Sequence, residues 1–217
     1  MKVAIVGHGP SLLKVQRGRE IDSHDAVVRI KRCWNLTENY PQIYGSKTTH
    51  VIGSLKIADE FCREWGKRGV KNIWLFEDSR TEGKGFPIPE GAYCNAELCK
   101  KWRDIYLTLR KPVTLDPHQK HYVFDTEIDH KGHPHQSAGS HAILYALELL
   151  KPETLTLYGF DSLSTGTFTW SVTRGTEWTQ YPDHNWPAER LLLNEMAKHY
   201  GCQIKVDNGE SIKLYAA

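Results

Sequence analysis

Lys2-Val3-Ala4-Ile5-Val6-Gly7-His8-Gly9-Pro10-Ser11-Leu12 runs from an apolar strand through a glycine-rich turn into the start of a helix. Lys2–Val6 lacks the polar alternation of a half-solvated strand, as expected of a strand buried on both faces. Glycines at its end let the backbone come close to a phosphate, and a helix N-terminus adds free N–H groups and about half a positive charge. Gly7, His8, Gly9, Pro10 and Ser11 are therefore candidate nucleotide-binding residues. A tight strand-to-helix turn also needs glycine for steric reasons alone, and the third glycine of the dinucleotide fingerprint is missing. The motif by itself leaves both readings standing.

Outward from this unit, short β-rich runs alternate with amphipathic stretches, the pattern of parallel strands joined by crossover helices. The predicted strands are Lys2–Val6, Ala26–Ile30, Thr49–Ile52, Asn72–Phe76, His121–Phe124, Thr154–Tyr158 and Gln203–Val206. Leu55–Lys67 and Ala92–Tyr106 are helix-like, and Ser140–Leu150 places Ile143, Ala146, Leu147 and Leu150 on one core face. A last helix is expected to begin at Pro187, with Leu192, Leu193, Met196 and Tyr200 on its apolar side and Gly201 as its stop. Ser79–Gly91 and Ser162–Asp183 do not fit the alternation, and loops of that length inside a domain are usually functional. The expected fold class is α/β, a single domain built on a mostly parallel sheet flanked by helices.

Composition narrows the function. The 217 residues suit one domain, and 40% hydrophobic with 25% charged residues is the make-up of an ordinary globular protein, which excludes general disorder. Lys and Arg number 28 against 26 Asp and Glu, so the basic surplus of a dedicated duplex-binding protein is missing, although nucleic acid as a substrate stays open. No run approaches the ~18 apolar residues of a membrane span, and Met1 leads straight into a strand without the basic and apolar regions of a secretion signal. A cytoplasmic location is expected. The five cysteines, Cys33, Cys62, Cys94, Cys99 and Cys202, form no C-x-x-C pair and are read as reduced thiols. Internal repeats and low-complexity segments are absent.

Five further groups of residues can carry chemistry. In Ile21-Asp22-Ser23-His24-Asp25 and the strand holding Arg29 and Lys31, Asp22 and Ser23 can form a turn through side-chain to backbone hydrogen bonds, and Arg29 a structural ion pair. Ser137-Ala138-Gly139-Ser140 leads into a helix, where small residues expose N–H groups to an anion while Ser137 caps the helix; the two roles are compatible. The strand that follows ends in Gly159-Phe160-Asp161. In His184-Asn185-Trp186-Pro187-Ala188-Glu189, Glu189 would stabilise its own helix start while His184 lies in the preceding loop. On one continuous helix the two would stand about 140° apart, so direct pairing is not expected. A loop histidine titrates near pH 6.5 and is the commonest general base. His118, His121, His130, His133 and His135 have H-x-x-H spacings, but Gly132 and Pro134 mark an exposed loop without cysteine, which favours solvated histidines over a metal site. Trp170, Trp178 and Trp186 suit either a sugar-stacking wall or the packing of a long loop.

Taken in order, these segments resemble the sialylmotifs of the CMP-sialic acid-dependent sialyltransferases. The large motif is similar to V-A-I-V-G-H-G-P-S-L, G-R-E-I-D-S-H-D-A-V-V-R-I and Y-G-S-K-T-T-H across residues 3–50. The small motif is similar to S-A-G-S-H-A-I-L-Y-A-L at 137–147 with T-L-Y-G-F-D at 156–161, and His184 and Glu189 match the very small motif, H-x-x-x-x-E. The Gly-x-Gly-Pro-Ser-Leu loop is also similar to bacterial sialyltransferases of a separate, similarly folded family. The resemblance implies a Rossmann-type, GT-A-like domain and an inverting, metal-independent transfer of sialic acid, or a related 2-keto sugar acid such as Kdo, from a CMP-activated donor to a hydroxyl of a glycan or other acceptor. No cofactor is implied beyond the CMP-sugar substrate, and a short microbial or phage-type member is the expected kind.

By the same resemblance, Gly7 to Ser11, Arg29, Lys31, Ser137, Ala138, Gly139, Ser140, Gly159 and Asp161 would hold the donor nucleotide, His184 would take the acceptor proton, and Asp22 and Glu189 would support them. His8 and Lys31 stand where the family usually has asparagines. The cysteine pair of secreted relatives is absent, and Phe168–Asp183 shows no phosphate-binding histidine; Tyr181 or a main-chain donor is left for the general acid. Two rival readings stay open: a glycosyltransferase with another nucleotide-sugar donor acting on DNA or a modified base, and a nucleotide-binding module of the same fold without turnover.

Overall fold

The computed structural model describes residues 1–78, 81–109, 136–161, 163, 186–207 and 212–215. Eight strands form one sheet: β1 (Lys2–Val6), β2 (Ala26–Ile30), β3 (His50–Ser54), β4 (Asn72–Phe76), β5 (Ala92–Cys94), β6 (Thr154–Tyr158), β7 (Gln203–Asp207) and β8 (Ile212–Tyr215). Their order is β5-β4-β3-β2-β1-β6-β7-β8, with every pairing parallel except β7 with β8. The order reverses between β1 and β6, and in open α/β sheets ligands bind at the carboxyl ends of the strands beside such a switch point. The Gly7–Ser11 and Gly159–Asp161 loops leave the sheet at that place.

Alternate residues of each strand feed two separate cores. Val3, Ile5, Val28, Leu155 and Leu157 pack with helices α6 (Ala96–Leu109), α7 (Ala138–Tyr145) and α8 (Trp186–Tyr200). Ala4, Val6, Val27, Val51 and Tyr158 pack with the opposite layer, built from α1 (Ser11–Lys14), α2 (Gly18–Asp22), α3 (Trp34–Asn39), α4 (Pro41–Tyr44) and α5 (Ala58–Lys67). β1 is apolar without alternation because both of its faces are covered.

Several boundaries differ from the expectations. Ala92–Tyr106 is not one helix: Ala92–Cys94 joins β4 as an edge strand, and the Asn95 side chain accepts from Leu98 N at 2.9 Å, which caps α6 at Ala96. Leu55–Lys67 begins with a 3₁₀ turn at Leu55–Ile57 before α5. The helix expected over Ser140–Leu150 starts at Ala138, and its last five residues, Ala146–Leu150, wind as a π turn ending at Lys151 with φ 47°. Ala142, Leu144 and Tyr145 are buried as well as Ile143, Ala146 and Leu147, so α7 is sandwiched by α6, α8 and the sheet rather than presenting a single core face. α8 begins at Trp186 and stops before Gly201, whose φ is 61°. The expected strand His121–Phe124 lies outside the described residues.

Candidate active site

The first loop is locked to the third. Gly7 N donates to Tyr158 O at 2.8 Å and Gly9 N to Gly159 O at 2.9 Å, so the two strand ends continue pairing beyond the sheet. A Cβ on Gly9 would lie 2.4 Å from Asp161 Oδ2 and 2.6 Å from Gly159 O, so neither loop has room for a side chain there. Gly159 itself has φ +68°, a conformation L side chains rarely take. Asp161 reaches back and accepts from Ser11 N at 2.9 Å, which satisfies the start of α1 from across the switch point. Ser11 is buried, and its Oγ has no hydrogen-bond partner among the described residues.

The second loop joins through one ring. Phe160 lies 3.2 Å from where a Gly7 Cβ would stand and 2.7 Å from where a Gly139 Cβ would stand. The ring thus fills the space between the turn after β1 and the start of α7. Glycine at both positions is what allows the approach. Ser137 caps α7, its Oγ accepting from Ser140 N at 3.1 Å. Ala138 and Gly139 lie in the first turn of α7, where N–H groups have no partner within the helix itself.

Glu189 holds this helix start in place. Its carboxylate, on a residue only 2% exposed, accepts from Ser137 N at 2.8 Å, from Ser137 Oγ at 2.6 Å and from Ser140 Oγ at 2.6 Å. These three donors stand at the start of α7, so Glu189, in the first turn of α8, ties one helix start to the other. Sequence reading missed this link because the partners are 49 and 52 residues apart.

Asp22 and Arg29 are built into the scaffold beside the cluster. Arg29, 1% exposed, donates to the carbonyls of Tyr44 and Lys47, the latter at 2.8 Å, instead of forming the ion pair read from the sequence. Asp22 accepts from Ser46 N, Ser46 Oγ and Lys47 N at 2.9, 3.0 and 2.9 Å. Burial alone would raise the Asp22 carboxyl, but the N–H donors of Ser46 and Lys47 outweigh it and hold it below the ordinary range. Together the two side chains clamp the segment between α4 and β3, which accounts for the I-D-S-H-D-x-V-x-R pattern. Arg29→Met is expected to lower the unfolding free energy by about 2–4 kcal/mol, because two buried carbonyls lose a charged donor. Urea unfolding measures it, and a loss below about 0.5 kcal/mol would show that the clamp does not need the guanidinium.

His8 and Lys31 meet at the end of β2. His8 Nε2 lies 3.1 Å from Ile30 O, and burial, followed by the charge of Lys31, pushes the imidazole pKa down to about 4. Lys31 takes a left-handed backbone at φ 55°, its N donating to Ile52 O at 2.7 Å and its O accepting from Trp65 Nε1 at 3.2 Å. His184, the five histidines from His118 to His135, Tyr181, Trp170 and Trp178 lie outside the described residues. Cys33, Cys99 and Cys202 are buried, and all five cysteines are free thiols.

This α/β fold brings the Gly7–Ser11 and Gly159–Asp161 loops together at the switch point of its sheet. It is shared with solved mammalian sialyltransferase structures. One has a TM-score of 0.51 and 18% identity, covering 96% of this chain and 69% of that one. Another, solved in complex with Gal-beta-1-3GalNAc-ortho-nitrophenol, has a TM-score of 0.50 and 20% identity, covering 96% and 70%. The profile of glycosyltransferase family 29 (sialyltransferase) matches residues 1–200, and the chain belongs to that family. It is also similar to the CMP-N-acetylneuraminate-beta-galactosamide-alpha-2,3-sialyltransferase 1 of Gallus gallus, 26% identical over 165 residues, which is 76% of this chain. The chain spans 45% of the length of that relative. Among the described residues no helix is long and apolar enough to cross a membrane, and no group of three or more His, Cys, Asp or Glu could hold a metal.

Proposed function

We propose that this chain is a glycosyltransferase that moves sialic acid, or a related 2-keto sugar acid such as Kdo, from a CMP-activated donor to a hydroxyl of a glycan acceptor. The observation that carries the reading is the family match over residues 1–200 together with the joining of its two loop motifs around Phe160. The name of the Gallus gallus relative carries CMP-N-acetylneuraminate, which supports this donor class. The backbone of Gly7 to Ser11 and the first-turn N–H groups of Ala138 and Gly139 would receive the nucleotide and its phosphate, where fixed dipoles stabilise the charge of the leaving group. His184 takes the proton of the acceptor hydroxyl as its oxygen bonds to the anomeric carbon. The bond from that carbon to the phosphate oxygen breaks on the opposite face, and CMP leaves with the electron pair, which inverts the centre. In this scheme the leaving phosphate is neutralised by N–H groups rather than by a metal ion.

The test is thermal unfolding with CMP, UMP, GMP or AMP at saturation. At about 100 times Kd a ligand adds roughly 2.7 kcal/mol, which in a chain of this size raises Tm by about 5–10 °C. CMP is expected to give that shift and the other three markedly less. An absent response to CMP, or an equal response to all four, overturns the donor assignment.

A further inference from the structure

Asn95 divides the edge strand β5 from α6 and sets a cysteine on either side of the helix start. Its side chain accepts from Leu98 N at 2.9 Å and its carbonyl from Cys99 N at 3.1 Å, so Asn95 is the N-cap residue. Cys94 then stands one place before the cap, and Cys99 is the fourth helical residue. Those are the two positions whose side chains pack together in a hydrophobic staple. Both thiols meet the hydroxyl of Tyr145: Cys99 Sγ lies 3.5 Å from it, and the same hydroxyl hydrogen-bonds to the Cys94 thiol. That hydroxyl does not depend on them, since it donates to Leu75 O at 2.8 Å and accepts from Asn95 N at 3.0 Å. Loss of both thiol hydrogens therefore leaves Tyr145 with its partners.

The two thiols differ in access. Cys99 is 2% exposed, whereas Cys94, on the edge strand of the sheet, is half-buried and within reach of a small molecule. Burial, followed by the charge of Cys99, pushes the Cys94 thiol up to about 11, and burial raises Cys99 as well. Both keep their proton at neutral pH, and the pair rests reduced. We propose that Cys94 and Cys99 are a redox pair, closed to a disulfide by a low-molecular-weight disulfide such as oxidised glutathione, and that the bond fastens β5 to the start of α6. The Cys94 thiolate attacks one sulfur of the oxidant, and one glutathione thiolate leaves. Cys94, which also packs against the core on the other face of the sheet, turns about its Cα–Cβ bond toward Cys99. The Cys99 thiolate then attacks the Cys94 sulfur, and the second glutathione leaves with the electron pair. The two protons given up by the protein pass to the two glutathione thiolates, so one disulfide is made as another is reduced.

The whole folded chain, held in excess oxidised glutathione and quenched with acid, tests the proposal. Remaining thiols are alkylated in denaturant, and the peptides are read by mass spectrometry. The expected product is a Cys94–Cys99 disulfide, two hydrogens lighter than the dithiol, with Cys33, Cys62 and Cys202 alkylated. Alkylated Cys94 and Cys99 overturn the proposal, as does either of them joined to another cysteine or left carrying glutathione. In Cys99→Ser the second step has no nucleophile, so Cys94 is expected to stop as the mixed disulfide with glutathione. A Cys94 that stays unmodified in that variant overturns its role as the entry thiol. Thermal denaturation then asks whether the bond fits the native fold. Closing a loop this short is expected to raise Tm by about 4–8 °C in a chain of this size, and dithiothreitol to return it to the starting value. A linked chain that melts at or below the reduced one overturns the fastening of β5 to α6, because the bond has then distorted the helix start.

Discussion

Glu189→Ala is expected to lower the unfolding free energy by about 3–5 kcal/mol and to weaken CMP binding with it. The side chain is 2% exposed and receives three hydrogen bonds from Ser137 and Ser140, so its removal strands three donors in a closed space. The hydroxyls of Ser137 and Ser140, 3.4 Å apart, can turn toward each other and recover part of the loss. Ser137 N cannot turn, and it sits at the cap of the helix whose first-turn N–H groups are proposed to meet the phosphate. In a chain of this size the change corresponds to a fall in Tm of about 6–20 °C by thermal denaturation. Glu189→Gln keeps the shape and one acceptor oxygen, and is expected to lose only about 1–2 kcal/mol. Equal losses for the two variants would mean that the charge, and not the geometry of the three bonds, holds the start of α7.

The sheet was legible where both faces of a strand are covered. Lys2–Val6, Ala26–Ile30, Asn72–Phe76 and Thr154–Tyr158 have the same limits in sequence and structure, because continuous apolar runs are what such strands require. β5 escaped because three residues, Ala92-Tyr93-Cys94, carry no period of their own and run into the helix that Asn95 caps. α1 to α4 are only four to six residues long, too short for a helical repeat to show, and β8 pairs at the sheet edge beyond the last helix.

The two loops proposed to receive the nucleotide could be read from glycine and small residues, since both need backbone approach. What joins them could not. Phe160, at the end of an apolar strand, looks like any core aromatic until Gly7 and Gly139 are seen on either side of it. Asp161 and Glu189 act on helix starts far away in sequence, Ser11 at 150 residues and Ser137 at 52, and local pattern carries no trace of such a partner. The same division explains Asp22 and Arg29. Their spacing marks a motif, while their partners on the segment after α4 appear only when β2 and β3 pair.

His184→Ala is expected to lower the transfer rate by about 10²–10⁴, the usual contribution of a positioned general base, which amounts to roughly 3–5 kcal/mol of barrier. In the sequence the residue stands two positions before helix α8, which Glu189 fastens to the start of α7. Because the side chain is asked to move a proton and not to hold the nucleotide, the Tm shift given by CMP should stay at its wild-type size. A simultaneous loss of that shift would mean that His184 binds the donor. The pH profile separates the roles further. A histidine base must be neutral to act, so kcat/KM of the wild type should fall on the acid side as the imidazole protonates, and the residual rate of the variant should lack that limb. If His184→Ala keeps more than about a tenth of the wild-type rate with CMP binding intact, another group takes the proton and the assignment falls.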